Sequence, residues 1–243
     1  MSKPLTRSFS LPAQRTHCGQ CYLHPICLPP GPDEESFVAL EDAVSCRISL
    51  RRQDTLFRAG DPLSAIYAVR TGTVKSAVNT QVGQGNVLGF HLPGELLGLD
   101  AFATGHHCCT AYALEDASLC VIPYPRLEEV ASQIPGLYRR LLCLTSQALN
   151  QRLTQIQLLS RPAEARIAAL LLDLSERYQE RGYSPVEFNL SMTRYDIGDY
   201  LGLAVETVSR VFRRFQEAEV VRVKYRNIRL VDPAKLRAIA GQR

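Results

Sequence analysis

Cys18, Cys21 and Cys27 fall within ten residues in the run His17-Cys18-Gly19-Gln20-Cys21-Tyr22-Leu23-His24-Pro25-Ile26-Cys27. Thiols at this C-x2-C-x5-C spacing have the chemistry of metal ligands, and the interspersed Gly and Pro keep the backbone irregular enough to wrap an ion or a cluster. Three thiolates from one loop call for a fourth ligand from elsewhere. Four thiolates suit either zinc or a cubane iron–sulfur cluster, and C-x-x-C is common to both. Compact zinc sites usually draw paired ligands from short knuckles. Three cysteines from one loop with a distant fourth fit a larger, four-cornered cluster better, while zinc or a ligand-free site stays open.

Of the other cysteines, Cys46, Cys108, Cys109 and Cys143 stand in apolar surroundings, where a free thiol behaves as a small hydrophobe. His106 and His107 beside Cys108 could suggest a nucleophile or a metal pair, but a solvent-facing loop is the expectation for them, and no catalytic constellation is evident. The chain is therefore not read as an enzyme. Its 243 residues, 46% hydrophobic, suffice for a sizeable core and two domains. No apolar run reaches the roughly 18 residues of a membrane span, and residues 1–11 lack the apolar stretch of an export signal, so no membrane partner and a cytoplasmic location are expected. In a reducing compartment eight cysteines are ligands or buried thiols rather than disulfides.

Four segments must position these residues. Residues 1–32 are rich in Pro, Gly and Cys and form a cysteine-bearing segment ordered by whatever it binds. Residues 33–136 hold a possible short helix over 33–45, then short apolar or alternating runs such as 65–69 and 74–78 between Gly60, Gly72, Gly85, Gly89, Gly94 and Gly98, which predict a β-roll. Over residues 137–160, Leu142, Leu149 and Ile156 recur every seven residues, with Thr145, Arg152 and Leu159 between them. This predicts a dimerisation helix whose seam carries Leu142, Leu149, Arg152, Ile156 and Leu159. Arg152 meeting its own copy across a two-fold axis would weaken that seam and leave pairing adjustable. Residues 161–243 open on a hinge at 160–164, marked by Pro162, and carry the whole of the net charge of +4.

Between residues 194 and 213 the constraints of a helix-turn-helix are met in register. Ile197 and Leu201 are apolar, Gly198 is small where the helices cross, Gly202 sits at the turn, and Leu203, Val208 and Val211 face inward. The outward face of the second helix offers Val205, Glu206, Ser209, Arg210 and Arg213 to DNA. Arg210 can fork onto a guanine, Glu206 can accept from a cytosine amino group, and Val205 can touch a thymine methyl. Residues 220–231 alternate apolar and basic around Tyr225-Arg226-Asn227, a β-hairpin wing with cations for phosphate.

The runs Leu56-Phe57-Arg58-Ala59-Gly60-Asp61 and Tyr67-Ala68-Val69-Arg70-Thr71-Gly72 resemble the effector-binding β-roll of the CRP/FNR superfamily of bacterial transcription regulators. Ile197-Gly198-Asp199-Tyr200-Leu201-Gly202-Leu203 followed by Val205-Glu206-Thr207-Val208-Ser209-Arg210 resembles the recognition element of its FNR branch, the fumarate and nitrate reduction and anaerobic regulators. With the cysteine trio, the resemblance spans nearly the whole chain. It implies an α+β chain made of a cyclic-nucleotide-binding-like β-roll, a long dimerisation helix and a C-terminal winged helix-turn-helix domain. It also implies a 4Fe-4S cluster on Cys18, Cys21, Cys27 and Cys120, the last from Ser118-Leu119-Cys120-Val121-Ile122-Pro123, with Cys108 and Cys109 as nearby competitors for the fourth place.

By the same resemblance the chain is a homodimeric regulator that binds palindromic double-stranded DNA while its cluster is intact, contacts RNA polymerase, activates anaerobic genes, represses some others and is switched off by oxygen. A cyclic nucleotide is not expected, because a buried phosphate needs a cation or convergent amides. The sequence has no Lys or Arg from Ser76 through Pro125, and the superfamily's phosphate-binding Arg-Ser pair has no counterpart near Cys108-Cys109-Thr110. The alternatives are a related regulator with a zinc or empty cysteine site, and an iron–sulfur electron-transfer protein, against which the helix-turn-helix register argues.

Overall fold

The computed structural model describes residues 46–79 and 85–241, together with Cys18, residues 21–23, Cys27, Glu41, Ala43 and Val44. Most of the segment 1–32 and of the helix expected over 33–45 lies outside the described residues, although Glu41 and Ala43 are helical. The roll is built from β1 (Cys46–Leu50), β2 (Thr55–Phe57), β3 (Ala65–Thr71), β4 (Val74–Asn79), β5 (Gly85–His91), β6 (Leu96–Leu97), β7 (Thr110–Ala113) and β8 (Ala117–Pro123). Two antiparallel sheets form, in the orders β1-β8-β3-β6 and β2-β7-β4-β5. Their inner faces close on Ile48, Phe57, Val69, Val74, Ala111 and Leu119, the alternation expected of strands buried on one side.

The turn from β3 to β4 depends on Gly72. Its φ is +78°, and a Cβ there would lie 2.6 Å from the Asp116 carbonyl oxygen. Behind the first sheet pack α1 (Tyr124–Gln133) and the start of α2 (Pro135–Leu158), separated by a break at Ile134 and opened by Pro135 at the first turn. The long helix thus starts slightly before the expected boundary at 137.

The third layer holds α3 (Ala163–Glu180), β9 (Glu187–Asn189), α4 (Arg194–Leu201), α5 (Val205–Glu217), β10 (Val221–Lys224), β11 (Asn227–Leu230) and α6 (Pro233–Ala240). Its core of Ile167, Leu171, Leu174, Ile197, Val208, Phe212 and Ile228 runs without a break into Val87, Phe90, Leu92 and Leu114 of the roll. Two segments that read as separate domains therefore share one apolar interior. Charged contacts bound it: Glu95 receives Arg177 at 2.8 Å and Arg181 at 2.6 Å, and Lys75 reaches Asp196 at 2.6 Å.

Candidate functional site

Cys120 lies on β8, paired with Ala68 of β3 on one side and with Arg47 of β1 on the other. Its side chain, with those of Cys18 and Cys27, packs against the apolar cluster of Ile66, Ala68, Ile122, Leu127 and Leu137 that joins the first sheet to α1 and α2. Cys18, Cys21 and Cys120 act on one another electrostatically. Burial, then the proximity of Cys120, pushes the Cys18 thiol up to about 11, and burial with a contribution from Cys21 pushes Cys120 up to about 11. Thiols so placed lose their protons readily only to a cation that takes their place. Arg70 of β3 opposes both shifts.

The described residues of the cysteine segment are bonded to one another and, through Tyr22, to the roll. Cys21 N–H donates to the Cys18 carbonyl at 3.0 Å, Cys27 N–H to the Leu23 carbonyl at 3.0 Å, and the Tyr22 hydroxyl to the Arg70 carbonyl at 3.0 Å. Leu23 is buried, and the Tyr22 hydroxyl also bonds with that of Tyr183, beyond the end of α3. The donor types suit a thiolate-held cluster: Cys18, Cys27 and Cys120 share one half-buried apolar patch, and Cys21 lies within electrostatic reach of Cys18 and Cys120.

The remaining cysteines depart in part from expectation. Cys109 is buried, Cys46 is half-buried, and Cys108 and Cys143 are exposed, so burial as small hydrophobes holds for Cys109 and not for Cys108 or Cys143. Cys109 belongs to the core between the two sheets of the roll, away from the patch that carries Cys18, Cys27 and Cys120. His106 is exposed as expected, but His107 is not: its ring is buried and stacked on Phe57 with centroids 3.7 Å apart. The loop folds inward because Asp100 collects its donors, receiving Cys108 N–H at 2.9 Å, the Cys109 thiol at 3.4 Å and His107 Nδ1–H at 3.3 Å. Burial alone would raise the Asp100 carboxyl, but the bond from Cys108 N–H followed by that from His107 holds it below the usual range.

At the other end of the chain, Thr193 and Asp196 form a reciprocal cap that starts α4. Gly202 ends it in the left-handed conformation with φ of +62°. Gly198 is where α4 meets the turn: a Cβ would sit 2.6 Å from the Leu203 carbonyl oxygen, so a larger residue forces the two helices apart. Val208, Val211, Phe212 and Phe215 bury one face of α5. The opposite face leaves Glu206, Ser209, Arg210 and Arg213 exposed, with Val205 half-buried at its start.

Arg213 leans toward Glu217 at 3.4 Å, and Arg214 is tied to Glu164 at 2.7 Å, which leaves Arg210 the freer guanidinium, 3.4 Å from the Thr207 hydroxyl. Arg222, Lys224, Arg226 and Arg229 are all exposed on the hairpin β10–β11, whose turn places Tyr225 at φ of +57°. The wing gains a third strand, β9, which pairs with β11.

Along α2 and at its C-terminal cap, Leu142, Leu149, Ile156 and Leu159 are exposed by 71%, 60%, 63% and 44%, an apolar row left open along most of its length by the other described residues. Arg152 is not on that row. Its guanidinium is turned onto the roll at Gly89 and donates to Gln155 at 3.0 Å, and Gln155 donates to the Tyr200 carbonyl at 2.8 Å. The place next to Leu149 and Ile156 is taken instead by Leu153, 49% exposed, which its spacing of four residues from Leu149 could have announced.

Two family models match the chain, one described as a cyclic nucleotide-binding domain over residues 47–133 and one as a Crp-like helix-turn-helix domain over residues 165–239. The transcriptional activator protein Anr of Pseudomonas protegens is 43% identical over 93% of this chain and 93% of its own. The fumarate and nitrate reduction regulatory protein of Escherichia coli is 40% identical over 93% of this chain and 90% of its own. The chain belongs to the FNR branch of the CRP/FNR family.

Among solved structures, that of FixK2 from Bradyrhizobium japonicum superposes with a TM-score of 0.74 at 30% identity, covering 79% of this chain and 96% of that one. As a CRP/FNR regulator the protein is a DNA-binding transcription factor and not an enzyme. None of its described helices is long and apolar enough to cross a membrane. Within this family fold the contacts that sequence reasoning missed are the long-range ones: Tyr22 with Arg70, Glu95 with Arg177 and Arg181, and Gln155 with Tyr200. Each pairs residues with no local signature.

Proposed function

We propose that this regulator holds a 4Fe-4S cluster on Cys18, Cys21, Cys27 and Cys120 and grips palindromic DNA as a homodimer while the cluster is intact. The observation that carries the reading is the gathering of Cys18, Cys27 and Cys120 on the apolar patch that joins the first sheet to α1 and α2, with Cys21 in electrostatic reach of Cys18 and Cys120. When bound, the cluster supplies an iron–sulfide core that oxygen dismantles. The protein's own part is to bring the cysteine-bearing segment onto β8 and so onto the packing of Leu137 and Leu141 at the start of α2. Anything that binds only the arrangement with the segment in place shifts the population toward it. Val205, Glu206, Ser209, Arg210 and Arg213 are the proposed DNA contacts, and contact with RNA polymerase belongs to the same reading.

Leu142, Leu149, Ile156 and Leu159, joined by Leu153, form the proposed pairing surface. Arg152 stands beside it on the roll. Covering such side chains contributes at most about 1.5–3 kcal/mol each, offset by about 4–15 kcal/mol for bringing two chains together, so the number of them covered sets the strength of pairing. A cyclic nucleotide has no place in this reading. The roll offers no Lys or Arg between residues 76 and 125, and the Thr110 hydroxyl already accepts from Ala59 N–H at 3.1 Å.

The test is metal and sulfide analysis of protein purified without oxygen. Iron and acid-labile sulfide in equal amounts with broad visible absorption are expected, and Cys120→Ser should lose both. A colourless protein carrying zinc in place of iron, or full iron retention in Cys120→Ser, would overturn the ligand set.

A further inference from the structure

The roll carries a second group of metal-ligating side chains apart from the patch just described. Asp100, Cys108 and Cys109 each offer one ligand atom, and the three atoms lie within 4.8 Å of one another. Asp100 stands in the 3-10 turn Leu99–Ala101 that follows β6, while the two cysteines end the loop that leads into β7. Adjacent side chains in a strand point to opposite faces. Here a bend at residues 108 and 109 lets both thiols turn toward one carboxylate, one from the exposed side and one from the core.

From this geometry we infer that Asp100, Cys108 and Cys109 form a binding site for one thiophilic divalent cation of the zinc class, with His107 as its orienting residue. A tetrahedral zinc ion with Zn–S of about 2.3 Å and Zn–O of about 2.0 Å sets two sulfurs about 3.8 Å apart and sulfur and oxygen about 3.5 Å apart. The Cys109 sulfur already lies 3.4 Å from Asp100 Oδ2. Two thiolates and a carboxylate leave the fourth corner to water, the pattern of an open rather than a closed site.

His107 serves from behind. A carboxylate only accepts, so its Nδ1–H donates to Asp100 Oδ1 at 3.3 Å, and stacking on Phe57 fixes the ring. A histidine held this way sets the carboxylate's orientation as outer-shell partners do in metal sites. Loading breaks two S–H bonds, sends both protons to solvent and forms two S–metal bonds with no electron transferred. Two neutral thiols with a carboxylate carry the same net charge as two thiolates, a carboxylate and a divalent cation, so the fold around the site meets no new charge. Arg152 of α2 is within electrostatic reach of both sulfurs, which puts the site in touch with the helix that carries the exposed apolar row.

Cobalt(II), a coloured stand-in for zinc, reports the ligands directly. The probe is the full-length chain with Cys18→Ser, Cys21→Ser and Cys27→Ser, which removes the trio, reduced and titrated without oxygen. One cobalt per chain is expected, with near-ultraviolet sulfur-to-cobalt charge-transfer absorption and visible bands of a four-coordinate site, both erased by one equivalent of zinc. Adding Cys108→Ser, at an exposed position the fold tolerates, or the isosteric Asp100→Asn should weaken cobalt binding by at least about tenfold. Cys143→Ser should leave it unchanged. Absence of the charge-transfer band, or a band indifferent to Cys108→Ser, overturns the assignment.

Discussion

Arg210 stands exposed on the outward face of α5, with a 3.4 Å contact to the Thr207 hydroxyl, and so can pivot onto a base edge. If it forks onto a guanine, Arg210→Ala lowers operator binding by about 1–3 kcal/mol and relaxes preference at one base pair, as measured by binding to a panel of single-base operator variants. An equal loss on every sequence, with a shallower salt dependence, would make Arg210 a phosphate contact instead. At this scale the sequence is informative wherever the physical demand is local. Gly198 is legible because a helix crossing and a turn glycine four residues later fix its role, and the structure shows why no Cβ fits there. His107 is not legible, since its burial rests on Phe57 and Asp100, which come from other turns of the roll.

Between elements, the roll and the DNA-binding layer are clamped by groups distant in sequence: Lys75 and Asp196 are 121 residues apart, and Glu95 and Arg177 are 82 apart. The Glu95 carboxyl is penalised by burial but held below its usual range by Arg177 and then Arg181. Its contribution is therefore complete above the ordinary glutamate range near about pH 4.3 and fades only as pH falls below it. His91, at the end of β5 in the same region, behaves differently. Burial pushes its imidazole down to about 4, and its Nε2 lies 3.0 Å from the Ser76 hydroxyl.

Below about pH 6.5 the unfolded chain takes up a proton at His91 that the folded chain refuses until about pH 4, so stability declines across that window as pH falls. The thermal midpoint should drop from pH 7 to pH 4.5 in the parent protein and drop less in His91→Gln; parallel curves would remove His91 from the account. Hydrophobic alternation and turn glycines made the strands and the roll legible. The three-residue β9 was not, because its pairing with β11 supplies the order that its own short sequence lacks.

Across the whole molecule, the three functional parts are joined by bonds that run through α2. Its first turns pack on the cluster that receives Cys18, Cys27 and Cys120, its middle presents the apolar row, and Gln155 near its end donates to the Tyr200 carbonyl of α4. Leu159 lies against Gly202 at the turn of the helix-turn-helix, and Arg166 bonds the Leu201 carbonyl at 2.9 Å. In the proposed function, a shift of the helix at the cysteine end would reach both the apolar row and the DNA reader. The heptad spacing revealed the row, but not that Arg152 leaves it for the roll, because the attraction of Gly89 and Gln155 lies outside any one-dimensional pattern.

The most direct measurement of the central claim compares self-association and operator affinity of the oxygen-free protein, loaded with iron and sulfide, with those of the same preparation stripped of them. Loading is expected to tighten both together, and air to reverse both. Unchanged association and unchanged operator affinity in the loaded protein would contradict that claim.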